Sequence, residues 1–466
     1  MMSSRNASEN RFLTASPGRL FVANAVPMMV IMVMNGLLTL VDAAFLGHFV
    51  GAEALAAVSV VFPIVMITIA LSTLVSGGMS SLLARHLGAG LHDAAAAVFA
   101  QAHGLALFVS LVLIAAFGLA GAAITGQLSG PQPAIAQAAH TYLAILILAV
   151  PVQLLLGVHA DAWRNEGYAG LMAVMSVGVT LANVGLDYLL IARLDLGVAG
   201  SAWGTAIAQG LGLALVVGLR LRGRGVLSMS ALARARWIGG WRDLLALGAP
   251  VSLSFVGIAL VSATVITTLR LTAGAGYLDT VAAYGVVTRI FSVTFLPLMA
   301  IALATQSIVG NNVGAQLYRR SDAALRLALI VSGAYGLLVE LTLLAMSGWI
   351  GRGFVIDAPV VHQVGTILRP MVSLYLCAGP ILVLALYFQA VGQPGRTAAL
   401  TLIKPFVLSP ALVTTLGGVF GTQAIWFAFP LSDAVMIAIA LGLALVSRRH
   451  GGATSGFGLR PHGATA

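Results

Sequence analysis

The stretch NAVPMMVIMVMNGLLTLVDAAFLG, residues 24–47, decides the fold, because it is long enough to cross a bilayer as one helix and yet contains Asp42. About 20 apolar residues span a hydrocarbon core, and a carboxylate inside that core costs roughly 2.5–3.5 kcal/mol. A second stretch, LMAVMSVGVTLANVGLDYLLIA at residues 171–192, accepts the same cost at Asp187. Ionisable residues in such runs mark ion or proton pathways, so the pair points to a membrane transport protein.

Composition excludes most other classes. Of 466 residues, 59% are apolar and 8% charged, and the mean hydropathy is +1.01; a soluble chain of this length needs far more surface charge. Cutting at charge and Gly/Pro clusters predicts about twelve spans, at 20–46, 55–79, 97–119, 139–160, 170–192, 198–219, 246–270, 283–309, 324–347, 364–390, 398–419 and 424–446. The fold class is therefore an all-α polytopic membrane protein. A single cysteine, Cys377, excludes an internal disulfide framework.

A net charge of +10 would suit nucleic acid, but the bases follow the positive-inside rule instead. Arg5, Arg11 and Arg19 precede span 1, and Arg85, Arg164, Arg319, Arg320, Arg326 and Arg396 lie at even-to-odd connections. Arg220, Arg222, Arg224, Arg234, Arg236 and Arg242 fill the longest connection, and Arg448, Arg449 and Arg460 follow span 12. The opposite loops hold chiefly Arg193, Arg270, Arg352 and Arg369. Both termini are expected in the cytoplasm and the protein in a prokaryotic inner membrane, with lipid rather than nucleic acid around it. The first run is too long for a signal-peptide core and reads as a retained helix.

The chain also repeats itself. VANAVPMMV at 22–30 faces LALGAPVSL at 245–253, so that Pro27 matches Pro250. GAEALAAVSVVFPI at 51–64 resembles GYLDTVAAYGVVTRIFSVTFLPL at 276–298, LGAGLHDAA at 87–95 resembles VGAQLYRRSDAA at 313–324, and LGVAGSAW at 196–203 resembles GGVFGTQAIW at 417–426. An even number of spans per repeat makes the halves parallel repeats that place a substrate cavity between two lobes. The expected organisation is an N-terminal tail (1–19), an N-lobe (20–219), a basic linker (220–243), a C-lobe (244–446) and a C-terminal tail (447–466).

Positions aligned with Asp42 fall around Val265 to Thr268 and those aligned with Asp187 around Leu408, and neither place holds a carboxylate. The ionisable site therefore belongs to the N-lobe alone. Asn35, Thr39 and Asp42 follow i, i+4, i+7 on one helical stripe, Asn183 lies one turn from Asp187, and Thr205 enters span 6 from the same side. At 1.5 Å rise per residue these groups converge within ~10 Å of the outer surface. Carboxylate, amide and hydroxyl oxygens are hard ligands for a small cation such as Na⁺, and two close carboxylates also favour H⁺. The bland alternative is a pair of aspartates that only hydrogen-bond between helices.

TLVDAAFLGHFVGAEALAAVSVVFPI at 39–64, RNEG at 164–167 and NVGLDYLLIARLDLGVAGSAWGTAIAQ at 183–209 resemble the multidrug and toxic compound extrusion (MATE) transporters, in particular the prokaryotic branch with an N-lobe cation site. The resemblance implies a V-shaped pair of six-helix bundles that export amphipathic, often cationic, drugs against an inward H⁺ or Na⁺ flux. It implies further that Asp42, Asn183, Asp187 and Thr205 match the N-lobe cation pattern, that Tyr142 supplies an aromatic hydroxyl from span 4, and that Asn35 takes the place of a polar amide on span 1. Pro27 matches the proline at which span 1 bends. Beyond the H⁺ or Na⁺ that it couples to, no cofactor is expected, and a monomer is.

Other intramembrane polar groups admit two readings each. Glu340 suits a second ion site or a structural pairing; Asp433 is read as having a structural or cavity role rather than a coupling one; Lys404 suits repulsion of cationic drugs or pairing with an acid, and Arg289 is a further base. His159 with Asp161 is read as interfacial rather than metal-binding, and the other histidines lack ligand spacing. Two rivals remain: a flippase for lipid-linked sugars, which favours a strongly cationic cavity, and an intramembrane aspartyl hydrolase, for which no GxGD run is present.

Overall fold

The computed structural model describes residues 10–129, 132–353 and 358–450. Arg5 and Arg460, with residues 1–9 of the expected N-terminal tail and 451–466 of the C-terminal one, lie outside the described residues. Among those described, the chain is all helix, as runs of apolar sequence in lipid must be, since only a helix or a closed barrel satisfies every backbone group internally. Eleven helices are long and apolar enough to cross a membrane, and a twelfth span is a bent pair. In order they are Pro17–Val50, Glu53–Gly88, His92–Ser129, Pro133–Asn165, Ala169–Arg193, Gly197–Leu221, Trp241–Thr272, Tyr277–Gly314, Tyr318–Met346, Ala358–Val372 with Tyr375–Ala390, Pro394–Phe420 and Thr422–Ser447. Large apolar side chains such as Leu119 (91% exposed) and Leu271 (82%) stand on their outer faces, an arrangement suited to lipid and not to water.

The internal repeat is visible in the backbone. Span 2 ends with Leu91 N–H bonded to His86 O and Gly90 at φ 71°, and span 8 ends with Leu317 N–H bonded to Asn312 O and Gln316 at φ 61°. Spans 4 and 10 end alike, with Tyr168 N–H on Trp163 O and Gln393 N–H on Phe388 O, at Gly167 and Gly392 in the left-handed region. These bonds satisfy carbonyls that a helix C-terminus leaves open. The same turn thus recurs at matching places of the two halves, once with glutamine where the first half has glycine.

The chain forms two compact units, one from Val26–Ser252 with the described part of Met1–Thr14, the other from Ala15–Ala25 with Leu253 onward. The division does not fall in the linker expected at 220–243 but inside spans 1 and 7. Span 7 shows why. Its Gly248 lies so close to span 2 that an added Cβ would stand 1.9 Å from Leu74 O, and Gly78 of span 2 approaches Leu244 O equally closely. Ser252 Oγ donates to Ala70 O at 2.6 Å. Small residues that let helix backbones touch are what holds helices together in lipid.

The first unit packs spans 2, 3, 4 and 6 around Val75, Met79, Leu83, Leu143, Val150 and Leu154. The linker docks on it rather than leaving it. Arg220, 2% exposed, lies between the rings of Phe99 and Trp163, donates to Glu166 Oε1 at 2.7 Å and to Leu227 O at 2.8 Å. Glu166 Oε2 in turn accepts the N–H groups of Val226 and Leu227. Within RNEG, Arg164 donates to Ser80 Oγ and pairs with Asp161, and Asn165 donates to the same serine. That motif is therefore a structural clamp in the fold.

In the second unit, spans 7, 8, 10, 11 and 12 meet around Val265, Val287, Val364, Leu368, Val413 and Trp426. Span 10 bends by 49° between Val372 and Tyr375. Leu374 at the break is left-handed, with φ 71°. Glu340 of span 9 accepts the freed N–H groups of Leu374 (3.2 Å) and Leu376 (2.9 Å), so this carboxylate is spent on the break. Of its two readings the structural pairing is the one observed.

Candidate functional site

Both stretches that carry an intramembrane aspartate change helix type at that point. Span 1 runs as α-helix over Pro17–Phe45 and then as π-helix over Leu46–Val50; span 5 is α-helical to Asp187 itself and π-helical over Tyr188–Arg193. A π-helical turn widens the backbone and shifts side-chain register, and such turns concentrate at functional sites. The two π segments pack on each other and on span 6. Gly200 of span 6 permits this, since a Cβ there would lie 3.1 Å from the Leu190 carbonyl.

This packing brings Asp42, Asn183, Asp187 and Thr205 together, all within the first unit. The Asp42 side chain is in hydrogen-bond contact with those of Asp187 and Thr205. With the Asn183 amide oriented to satisfy both its neighbours, Nδ2 donates to Asp42 Oδ1 at 2.9 Å and Oδ1 accepts the Thr205 N–H at 3.1 Å. Asp187 and Asn183 are both fully buried. One oxygen of the pair, Asp187 Oδ1, has no hydrogen-bond partner. Two carboxyl groups in contact need a proton shared between them or a cation bridging them, because their like charges otherwise repel. The oxygen set fits either a proton or a small hard cation.

Span 6 contributes a residue that sequence reasoning missed. A Cβ added to Gly204 would stand 2.3 Å from Asp187 Oδ1 and 3.6 Å from the Asn183 amide. Any side chain there displaces the carboxylate. The available signal is slight: a glycine directly before the site threonine, in a chain with 53 glycines.

Tyr142 is buried beside the pair and faces Ser201 of span 6, with no hydrogen bond to either aspartate. Asn35 is not part of the cluster: its side chain is exposed, and its carbonyl accepts the Thr39 hydroxyl. The i, i+7 spacing puts Asn35 on the stripe of Asp42 but two helical turns, about 10 Å, away along the axis. Pro27 lies within the uninterrupted helix Pro17–Phe45, two residues past the boundary between the compact units at Ala25.

The second unit holds a different arrangement at its own π-helical turn, Lys404–Leu408 of span 11. Lys404 Nζ is 2.5 Å from Asp433 Oδ1 of span 12. Lys404 thus pairs with an acid, and Asp433 is held in an ion pair. Asp161 is committed to Arg164 and His159 to His103, and no group of three metal-ligating side chains occurs among the described residues.

The family model described as MatE matches residues 27–189 and 250–414, one block in each repeat. The chain is 25% identical to the FAD transporter of Shewanella oneidensis, over 91% of this chain and 93% of the relative. It is 22% identical to the multidrug export protein MepA of Staphylococcus saprophyticus, over 90% and 91%. Among solved structures, the outward-facing conformation of a multidrug resistance MATE family transporter superposes with a TM-score of 0.85 at 21% identity, covering 95% of this chain and 98% of that one.

Proposed function

The chain belongs to the MatE family, and on that premise we propose that it is an antiporter that exports amphipathic, often cationic, organic compounds by alternating access in exchange for an entering cation. The observation that carries this reading is the contact between the Asp42 and Asp187 carboxyl groups, with Asn183 and Thr205 on the same oxygens. Such a pair is neutral enough to persist only when a cation occupies it. Losing that cation forces the carboxylates apart, and with them the ends of spans 1 and 5. A proton is favoured over Na⁺, since protonating one carboxylate relieves the repulsion and rewrites the hydrogen bonds on span 1 directly. Tyr142 lines the site and excludes water. Pro27, which removes one backbone hydrogen bond, is the place where span 1 yields. The protein acts as a monomer in the cytoplasmic membrane, with both termini inside, and carries out no covalent chemistry.

In Na⁺-free proteoliposomes a proton gradient directed opposite to the dye should drive transport of a cationic dye, and a protonophore should stop it. Transport that appears only with Na⁺ and persists without a pH gradient assigns the same four residues to Na⁺ instead.

A second reading of the substrate rests on the FAD transporter relative, similar along nearly the whole chain, and on Arg289, an exposed base on span 8. Both suit an organic anion. Uptake of FAD into the same vesicles, competing with the dye, supports it; dye transport indifferent to FAD excludes it.

A further inference from the structure

Between the docked linker and spans 3, 4 and 6 the first unit has an open recess of about 270 Å³, walled by Leu155 of span 4, Leu213 and Val217 of span 6, and Met229, Ala233 and Trp237 of the linker. Its walls are almost wholly apolar: the imidazoles of His103 and His159 face each other at 3.1 Å, and the Trp237 indole donates to Leu232 O at 3.1 Å. The linker is held there through its main chain. A Cβ on Gly104 of span 3 would lie 2.0 Å from the Trp237 carbonyl oxygen, and Trp241 donates to Gln101 O at 3.1 Å.

The depth of the recess decides what can fill it. Leu213 lies about 12 Å short of the end of span 6 at Leu221, and Leu155 about 15 Å short of the end of span 4 at Asn165. A headgroup layer is only ~5–7 Å thick, so both leucines stand at the level of acyl chains. Both are half-buried, and the exposed Leu107 and Leu148, farther along spans 3 and 4, carry the apolar surface on toward the bilayer centre. The linker rim of the recess is basic. Arg234 follows Ala233 and Arg236 precedes Trp237, so exposed guanidinium groups alternate with wall residues. Arg222 and Arg224 are exposed as well, and no acid occurs between Arg222 and Arg242. Glu166 is taken by Arg220, and none of these four arginines makes an ion pair among the described residues.

We propose that this is a binding site for an anionic phospholipid of the leaflet that the linker borders, with an acyl chain in the recess and the phosphodiester held by Arg234 and Arg236. Apolar walls at chain depth call for a lipid rather than a soluble anion, and unpaired cations beside them favour a negative headgroup over a zwitterionic one. A bound lipid joins the linker helix Met229–Arg234 to spans 3, 4 and 6. The inference stands independently of the ion and drug exchanged at the aspartate pair.

The test uses the full-length protein in phosphatidylcholine nanodiscs that carry increasing fractions of phosphatidylglycerol with brominated acyl chains, which quench tryptophan on contact. The difference between wild type and Trp237→Phe isolates the indole of the recess. That signal should be half-quenched at a mole fraction on the order of 10-fold lower for brominated phosphatidylglycerol than for brominated phosphatidylcholine, each arginine near an anionic headgroup contributing roughly 5-fold. Arg234→Gln/Arg236→Gln should bring the two lipids together, and Arg234→Lys/Arg236→Lys, which keeps the charge, should retain most of the preference. Arg319→Gln/Arg326→Gln, an equal loss of exposed charge in the second unit, should leave it unchanged. Equal quenching by the two lipids in the wild type overturns the proposal. So does a preference that survives Arg234→Gln/Arg236→Gln or falls equally in Arg319→Gln/Arg326→Gln, either of which would make it a property of the whole basic surface. Displacement of the brominated lipid by inorganic phosphate, at an ionic strength where chloride does nothing, would give the arginines to a soluble anion and overturns it too.

Discussion

Each unit has π-helical turns with a charged side chain on or just before them, yet the two units are charged in different ways. In the first, Asp42 and Asp187 face each other with no base, so their charge is balanced only by something that comes from solution. In the second, Lys404 and Asp433 balance each other within the chain. A site neutralised from within has nothing to exchange, whereas a site of two acids must take up a cation to close. The same scaffold occurs twice, and the acid pair stands in one copy only. On the proposed reading coupling is a property of the first unit alone, and the comparison can be broken or sharpened by substitution on either side.

The largest effect is expected at the acid pair. Asp42→Asn and Asp187→Asn keep shape and lose charge, so each should reduce ion-driven dye efflux to the background of empty vesicles while membrane expression stays near wild type. Undiminished efflux in either variant would remove the pair from coupling. Gly204→Ala comes next: with a Cβ directed at Asp187 Oδ1, efflux should fall on the order of 10-fold, about what a displaced group costs in an oriented site. If Gly204→Ala is silent, the carboxylate geometry described above is not the working one.

Pro27→Ala should act more mildly, slowing turnover a few-fold while leaving equilibrium dye binding unchanged, since it stiffens a helix without touching a ligand. Equal losses in binding and turnover would contradict a hinge. In the second unit, Lys404→Met should lower thermal stability by about 1–3 kcal/mol, less than a fully buried pair because Lys404 is partly exposed. Adding Asp433→Leu should restore part of that loss, and coupling should survive in the double variant. Smallest of all should be Thr268→Val and Ser409→Ala, at positions aligned with the aspartates, whose hydroxyls bond only to Thr264 O and Ser432 Oγ; efflux within about twofold of wild type is expected, a surface-like effect.

Much of this was legible in the chain because bilayers impose strong rules. Apolar length alone located the twelve spans, and the proline and loop repeats exposed the duplication. Asp42 and Asp187 stood out through their cost in hydrocarbon, and helical spacing added Asn183 and Thr205. The same spacing misplaced Asn35, since a stripe specifies a face and not a depth. Arg220 reads as a surface base until Glu166, distant in sequence, is seen to bury it. His103 and His159 meet only through packing of spans 3 and 4. The π-helical turns leave no mark in hydropathy, and Gly204 matters through the atom it lacks.

The central claim is that one cation leaves the Asp42–Asp187 pair as an organic substrate enters. Adding a saturating cationic dye to purified protein in weakly buffered, Na⁺-free solution should release about one proton per chain from wild type and from Lys404→Met/Asp433→Leu, and none from Asp42→Asn. Equal release from wild type and Asp42→Asn, or release that disappears only when Lys404 and Asp433 are replaced, would contradict it.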